Sequence, residues 1–414
     1  MASEEAVGFA PIARCRVCDS PELFEVLDLG VQPLANAFVG PTEPPPPRFP
    51  LVAVGCAECS VVQLSGTVDP RLMFDDYAYF SSYSSSMVAT MRDLAQRTVT
   101  DERLEPRDLV LEVASNDGYL LRHYRDLGIR TLGVEPAANV AAVALDEGID
   151  TRVEYFTARL AADLRREGVA PRVIHANNVI AHVPDVHDFV EGLRLLLHED
   201  GIVIVETPYL VDLIDRVLFD TIYHEHVYYW PLAALVRVFA EYGLVLARCE
   251  HIDVHGGSLR AVWRHRRSDD HGLEATYLGE ETARRLTSAD SYAVFARDVA
   301  GSGRRLVENF EAVTSSGLSL AGYGAAAKAT VLLNYAAVGE STLCFVVDRN
   351  PAKQGRLVPG TRIPIVSLDV LQQSRPDALA VFVWNIWTEV AAQLHWYVES
   401  GGRLLDPLAG RRDQ

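Results

Sequence analysis

The chain has 414 residues, 49% of them hydrophobic and 23% charged. That is the balance of a soluble globular protein of two to three domains, and it excludes global disorder, collagen-like repeats and a small disulfide scaffold. There are 38 Lys and Arg against 56 Asp and Glu, a formal net charge of −18, and a surface this acidic repels phosphate backbones. The largest basic cluster, Arg264 to Arg267, is short and followed by two Asp, so it reads as a solvated loop and no nucleic-acid partner is expected.

The N-terminus, Met-Ala-Ser-Glu-Glu, is acidic and has no apolar stretch of the kind a signal peptide needs. The weakly polar run from Gly317 to Gly339 is interrupted by Lys328 and Asn334 and does not read as a membrane span. Six cysteines are too few for a disulfide framework, so a cytoplasmic location is expected.

Four of the cysteines form two pairs, Cys15-x-x-Cys18 and Cys56-x-x-Cys59, with 37 residues between them. Each pair brings two thiolates to one tetrahedral Zn²⁺ from a tight turn. With four Cys ligands no position is left for water, so the metal is structural. The spacer carries Pro41, Pro44, Pro45, Pro46, Pro47 and Pro50, which favour an extended, polyproline-like path. Cys249 and Cys344 lie in strand-like apolar runs and are expected to be buried thiols.

An aromatic and hydroxyl-rich stretch follows, from Phe74 to Met87. It lacks periodicity and reads as a loop, either a plain linker or the lining of a polar pocket, and leads into a helix over about 87–100. Strands are then predicted over 109–114, 131–135, 152–156, 172–177, 202–207, 245–249 and 258–263. Helical segments separate most of them, which predicts a doubly wound parallel sheet. A polar helical stretch over 278–315 leads to a second unit. There strand 318–324 runs into a Gly-rich turn, helix 325–335 follows, and strands are predicted over 343–348, 379–384 and 403–406. The fold class is α/β, with three expected parts: a zinc-binding module over 1–75, a central Rossmann-like domain over 76–305 and a C-terminal Rossmann-like domain over 306–414.

In the first α/β unit, Glu112-x-x-x-Asn116-Asp117-Gly118 follows the first strand, where the chain turns sharply and Gly118 opens a helix whose N-terminus favours electron-rich groups. Glu135 ends the second strand, where a carboxylate accepts from ribose hydroxyls. NAD enzymes and S-adenosylmethionine enzymes share this arrangement. The turn lacks the G-x-G-x-x-G that a pyrophosphate needs, which favours S-adenosylmethionine. Beyond the fourth strand come Asn177, Asn178 and His182. After the fifth comes Tyr223-His224-Glu225-His226, the densest titratable group in the sequence. A metal reading of His-x-His lacks further ligands. A general base oriented by a neighbouring Glu or Tyr fits better, against a surface loop with incidental His. In the second unit Gly322-x-Gly324 with Lys328 is a weak phosphate signal, open to a pure packing reading, and Asp348 suits a ribose hydroxyl.

The chain resembles the bacterial nucleotide-sugar C-methyltransferases of deoxysugar antibiotic pathways. The likeness is carried by the four cysteines, Tyr79-Phe-Ser-Ser, Glu112-Val-Ala-Ser-Asn-Asp-Gly118 and Asn177-Asn-Val-Ile-Ala-His-Val-Pro184. It continues through Tyr223-His-Glu-His226, His255-Gly-Gly-Ser-Leu-Arg260, Gly322-Tyr-Gly-Ala-Ala-Ala-Lys328 and Val347-Asp-Arg-Asn-Pro351. One departure is Ala114, where Gly is usual beside the cofactor. The resemblance implies S-adenosylmethionine in the middle domain, on Glu112, Asn116, Asp117, Gly118, Glu135, Asn177 and Asn178. It implies a dTDP-4-keto-deoxysugar held largely by the C-terminal domain, through Ser258, Arg260, Gly324, Lys328, Asp348 and Asn385. His226 is then the base, with Tyr79, His182, Tyr223 and Glu225 around the sugar, and His224 is the competing base. Methylation is expected at carbon 3 next to a 4-ketone, with carbon 5 the alternative, and the enzyme is expected to be a monomer. An NAD-dependent oxidoreductase and a non-enzymatic zinc-ribbon protein are the rival readings.

Overall fold

The computed structural model describes residues 8–74, 80–83, 85–266 and 275–408. Tyr79, expected near the sugar, lies outside the described residues.

The N-terminal module is built on an antiparallel sheet of Leu23–Pro33, Arg48–Cys56 and Val62–Leu64. Its fourth strand, Tyr228–Tyr229, comes from much later in the chain and pairs with Val62–Leu64. The proline-rich residues 40–47 form no regular element, whereas Pro50 sits inside the strand Arg48–Cys56, opposite Val31 beside a bulge. A bulge is one of the places a sheet tolerates a residue with no N–H.

The central sheet has seven strands in the order Leu244–Ile252, Ser258–His265, Ile202–Pro208, Val173–Asn177, Leu109–Val113, Arg130–Val134 and Thr151–Arg152. Leu-Val-Leu-Glu-Val is buried along nearly its whole length, as a strand with helices on both faces must be. The helix Val186–Leu196 is typical of the covering layer. Asp185 caps it by accepting from Asp188 N–H at 3.0 Å, and Val186, Phe189, Val190 and Leu193 form its buried stripe. The sheet is mixed rather than parallel throughout. Ser258–His265 runs antiparallel to both its neighbours, because five residues join it to Leu244–Ile252, enough for a hairpin and too few for a crossover.

Two helices, Ala275–Arg284 and Ala293–Thr314, follow in place of one continuous stretch, and the second runs through the division expected at 305/306. The C-terminal sheet is parallel, in the order Ile365–Val366, Val346–Val347, Leu320–Tyr323, Ala378–Val381 and Arg403–Leu405. Strand order reverses between Leu109–Val113 and Val173–Asn177 in the first sheet, and between Leu320–Tyr323 and Ala378–Val381 in the second. Open α/β sheets bind ligands at such crevices. Cys249 is half-buried and Cys344 is exposed; the latter stands just before its strand, outside the apolar core.

Candidate functional site

The four Sγ atoms of Cys15, Cys18, Cys56 and Cys59 lie within 4.8 Å of one another. Cys15 is 3.6 Å from Cys59 and Cys18 is 3.5 Å from Cys56. Zn–S bonds of about 2.3 Å in a tetrahedron put sulfurs about 3.8 Å apart, so the set fits Zn²⁺. The contact with Cys59 pulls the Cys15 thiol down to about 5, and the same contact pushes Cys59 up. Four thiolates at this spacing need a cation. The N–H groups of Val17 and Glu58 point to Cys15 and Cys56 Sγ, each at 3.4 Å.

At the first crevice, Glu112 is buried and neither of its carboxylate oxygens has a hydrogen-bond partner among the described residues. The Asn177 amide lies close but outside hydrogen-bond geometry. Burial, then Asp117 and Glu135, push the Glu112 carboxyl well above its usual range, against the opposing effect of Asn177. Glu135 accepts from Asn116 N–H at 3.0 Å and Ala137 N–H at 2.9 Å, and each oxygen keeps a second lone pair. Asp117 Oδ2 and Asn116 Oδ1 accept from the N–H groups of Ser82 and Ser81, folding residues 80–83 over the turn. Asp117 Oδ1 is buried without a partner among the described residues. Three buried carboxylates at one strand-end crevice fit a cationic ligand such as a sulfonium with an ammonium group. Gly118 turns at φ 75° and Asn178 at φ 54°, with Asn178 N–H donating to the Glu206 backbone carbonyl at 2.7 Å.

The Tyr-His-Glu-His segment lies between the zinc module and the central sheet. His226 Nδ1 is 2.8 Å from the Thr221 carbonyl, and its Nε2 is 2.7 Å from the Tyr223 hydroxyl. A carbonyl only accepts, so Nδ1 carries the hydrogen and Nε2 is the lone-pair nitrogen. The His182 ring meets that of His226 edge-on at 4.8 Å. Burial, then the field of His182, then those of Lys328 and His255, hold the His226 pKa well below the usual imidazole range. The ring is neutral at physiological pH. His182 and His255 are likewise lowered to about 4 by burial.

His224 faces the other way. Its Nε2 is 3.3 Å from the carbonyls of both Phe49 and Pro50 in the zinc module. The Glu225 carboxylate accepts from Asn36 Nδ2 at 2.6 Å, and both residues line a cavity of about 310 Å³. All three parts contribute walls to it, including Phe38, Met73, Phe80 and Arg356.

From the C-terminal unit, Lys328 comes close enough to His226 and His255 for its charge to act on both rings. It donates to Asn385 Oδ1 at 2.8 Å and lies 4.7 Å over the Trp384 ring. Gly324 turns at φ 90°, where a Cβ would stand 2.7 Å from Val383. Asp348 accepts from Ala325 and Asn350 N–H groups at 2.9 and 2.8 Å, repeating the arrangement of Glu135 in the first unit.

Two expected sugar contacts are placed elsewhere. Arg260 is buried in the sheet, its guanidinium 2.8 Å from the Glu206 carboxylate on the neighbouring strand. Ser258 is fully buried and its hydroxyl donates to Val254. Conversely, Asn36, Asp220, Thr221, His255 and Trp384 stand in or behind the site without having been singled out. His255 was visible only as part of a quoted motif, and Thr221 acts through a backbone carbonyl that no side-chain pattern marks.

Family models match three successive stretches: "Putative zinc binding domain" over residues 15–74, "Methyltransferase domain" over 83–248 and "C-methyltransferase C-terminal domain" over 253–408. The last begins before Ser258–His265, which completes the central sheet. The chain is 34% identical over 404 residues to C-methyltransferase NovU of Streptomyces niveus, covering 96% of each. Among solved structures it is similar to an S-adenosylmethionine-dependent methyltransferase from Clostridium acetobutylicum (9% identity, 44% of this chain, 92% of that one, TM-score 0.36). The PH0226 protein of Pyrococcus horikoshii is another (13% identity, 48% and 98%, TM-score 0.36).

Proposed function

The chain belongs to the S-adenosylmethionine-dependent C-methyltransferases, and from that premise we propose that it methylates a ring carbon, carbon 3, of a dTDP-4-keto-deoxysugar. Bound S-adenosylmethionine supplies an electrophilic methyl group. Glu112, Asp117, Glu135 and Asn177 are the residues that would hold it. A carbon beside a ketone becomes nucleophilic only once its proton is removed, so the reaction needs a neutral base and a donor for the enolate oxygen.

The observation that carries this reading is the tautomer of His226. With Nδ1–H held by Thr221, Nε2 is the basic atom, and the Tyr223 hydroxyl stands 2.7 Å from it. In the reaction the hydroxyl turns to the ketone oxygen and Nε2 takes the carbon-bound proton. The enolate carbon would then form its bond to the methyl as the methyl–sulfur bond breaks, the electron pair leaving with sulfur as the neutral thioether S-adenosylhomocysteine. Lys328 and Asn385 at the second crevice suit the nucleotide diphosphate, with Gly324 allowing its close approach, and Asp348 suits a ribose hydroxyl of the nucleotide. Glu225 and Asn36 face the sugar cavity.

The test is mass spectrometry of a panel of dTDP-4-keto sugars incubated with the enzyme and S-adenosylmethionine, with the methylated carbon located by NMR. A singly methylated product at carbon 3 is expected; methylation at carbon 5 alone, or no methylation of any sugar, overturns the reading. His226→Asn should cut turnover by about 10²–10⁴ and slow exchange of the substrate's acidic proton with solvent deuterium. Wild-type exchange in that variant, with loss in His224→Asn or His182→Asn, places the base elsewhere.

A further inference from the structure

The single turn Phe219–Thr221 precedes the Tyr-His-Glu-His segment. It supplies the Thr221 carbonyl on which the His226 tautomer depends. One face of the turn is held by its own bonds, Thr221 N–H and Oγ1 to the Leu218 carbonyl at 3.0 and 2.7 Å. The other face is held from the C-terminal unit. Asp220 is fully buried, and the Trp384 indole N–H donates to its Oδ2 at 2.6 Å. Its other oxygen, Oδ1, has no partner among the described residues. Phe219 packs edge-on against Tyr335 at 5.3 Å, on the helix that begins beside Lys328.

A buried carboxylate with a single hydrogen-bond donor is expensive and therefore sensitive to that donor. Trp384 is also the ring beneath Lys328, and its neighbour Asn385 accepts from Lys328. The contacts thus run without a gap from the Gly-rich turn of the C-terminal unit, through Lys328, Trp384 and Asp220, to Thr221 and the base.

We propose that Trp384 and Asp220 are positioning residues for His226: the indole N–H fixes Asp220, which holds the Thr221 carbonyl where it keeps Nε2 as the basic nitrogen. Through this pair the C-terminal unit, where the nucleotide is read to bind, sets the geometry of the base. This inference rests on His226 being the base, and it makes Trp384 more than a wall of the nucleotide crevice.

The test is Trp384→Phe, which keeps a ring for Lys328 and removes only the N–H. Two readouts are taken on the full-length protein. Imidazole ¹⁵N shifts, with the His226 signals assigned by their loss in His226→Asn, report the tautomer without substrate. Exchange of the substrate's acidic proton with deuterium reports the base. In Trp384→Phe the His226 signals should move from the single Nδ1–H tautomer to a mixture. Exchange should slow by about 10- to 100-fold, the scale of a slight misplacement of a reacting group. KM for the nucleotide sugar and affinity for S-adenosylmethionine should change less than about threefold.

Asp220→Leu should reproduce these effects, and Asp220→Asn, which keeps an acceptor oxygen for the indole, should restore most of the exchange rate. If Trp384→Phe does not fold, the two Asp220 variants carry the same comparison. An unchanged tautomer and exchange rate, or equal losses in Asp220→Leu and Asp220→Asn, overturn the proposal. If the wild-type enzyme itself exchanges no proton, the reading of His226 as base fails, and the tautomer measurement still decides the positioning role.

Discussion

Ala114 directly follows the strand Leu109–Val113 in a left-handed backbone, φ 54°. A side chain there costs about 1–2 kcal/mol, of which the extra freedom of glycine in the unfolded chain offsets about half. Ala114→Gly should therefore raise stability by up to about 1 kcal/mol, seen as a higher urea midpoint. Gly118→Ala should do the reverse, because at φ 75° its Cβ would stand 3.1 Å from Ile149 Cγ1. Glu135 is the other residue whose role is set by local geometry. Its two backbone donors already orient the carboxylate, so Glu135→Ala unpairs two N–H groups and, on the proposed reading, also removes the acceptors offered to the cofactor ribose. S-adenosylmethionine binding should weaken by about 1–3 kcal/mol in calorimetry, the scale of leaving buried groups unpaired. An unchanged dissociation constant would remove Glu135 from the cofactor site.

At the scale of elements, the strand pair Ile202–Pro208 and Ser258–His265 is locked by Glu206 opposite Arg260. Both are buried, so Arg260→Leu leaves an uncompensated carboxylate and should cost about 3–5 kcal/mol, while adding Glu206→Leu should recover most of that loss. Denaturant unfolding of the three variants checks both statements. This pair also marks where sequence reading stopped. The strands Leu109–Val113, Val173–Asn177 and Ile202–Pro208 were legible because continuous apolar runs bounded by turns have few other fates. The direction of Ser258–His265 was carried by loop length rather than by its own residues. His255, Gly256 and Gly257, all at positive φ, make the hairpin that turns the strand back. An arginine quoted within a motif looked like a ligand contact, yet its partner lay 54 residues earlier. The site histidines stood out as a cluster, but which of His224 and His226 faces the cleft depends on the zinc module packing against the loop. Neither local propensity nor spacing encodes that long-range contact.

For the whole molecule, neutral histidines at buried positions (His175, His224) and half-buried ones (His182, His255) should set the acid limit of stability. Burial lowers His175 to about 3, and His182, His224 and His255 to about 4, from 6.5. Below pH 6.5 the unfolded chain binds protons that the folded chain refuses. The stability these groups contribute is thus complete above that pH and is lost as pH falls toward 4. Thermal unfolding between pH 7 and 4 should show a steep decline in Tm. His224→Gln, at a position buried against the zinc module, should flatten part of it. A pH-independent Tm over that range would mean that these rings are solvated.

The strand Tyr228–Tyr229, which follows the loop carrying His226, is the fourth strand of the zinc module's sheet. Val62–Leu64 leaves the Cys56–Cys59 turn and pairs with Tyr228–Tyr229, and Leu64 N–H donates to Val227 at 2.9 Å. On the other knuckle, His187 of the central domain bonds the Val17 carbonyl between Cys15 and Cys18 at 3.0 Å. Binding of a structural metal is coupled to folding, so its loss is felt wherever the folded module is in contact. Cys59→Ser should lower the zinc content below stoichiometric and reduce Tm. In hydrogen exchange it should deprotect Val62 to Leu64 and, with them, Val227 to Tyr229 and the loop carrying His226. The strands Leu109–Val113 and Leu320–Tyr323, which share no backbone ladder with the module, should keep their protection. Deprotection confined to the module would show that the central domain alone holds the loop carrying His226. Deprotection of the loop together with Val62 to Leu64 would make the metal part of what places His226.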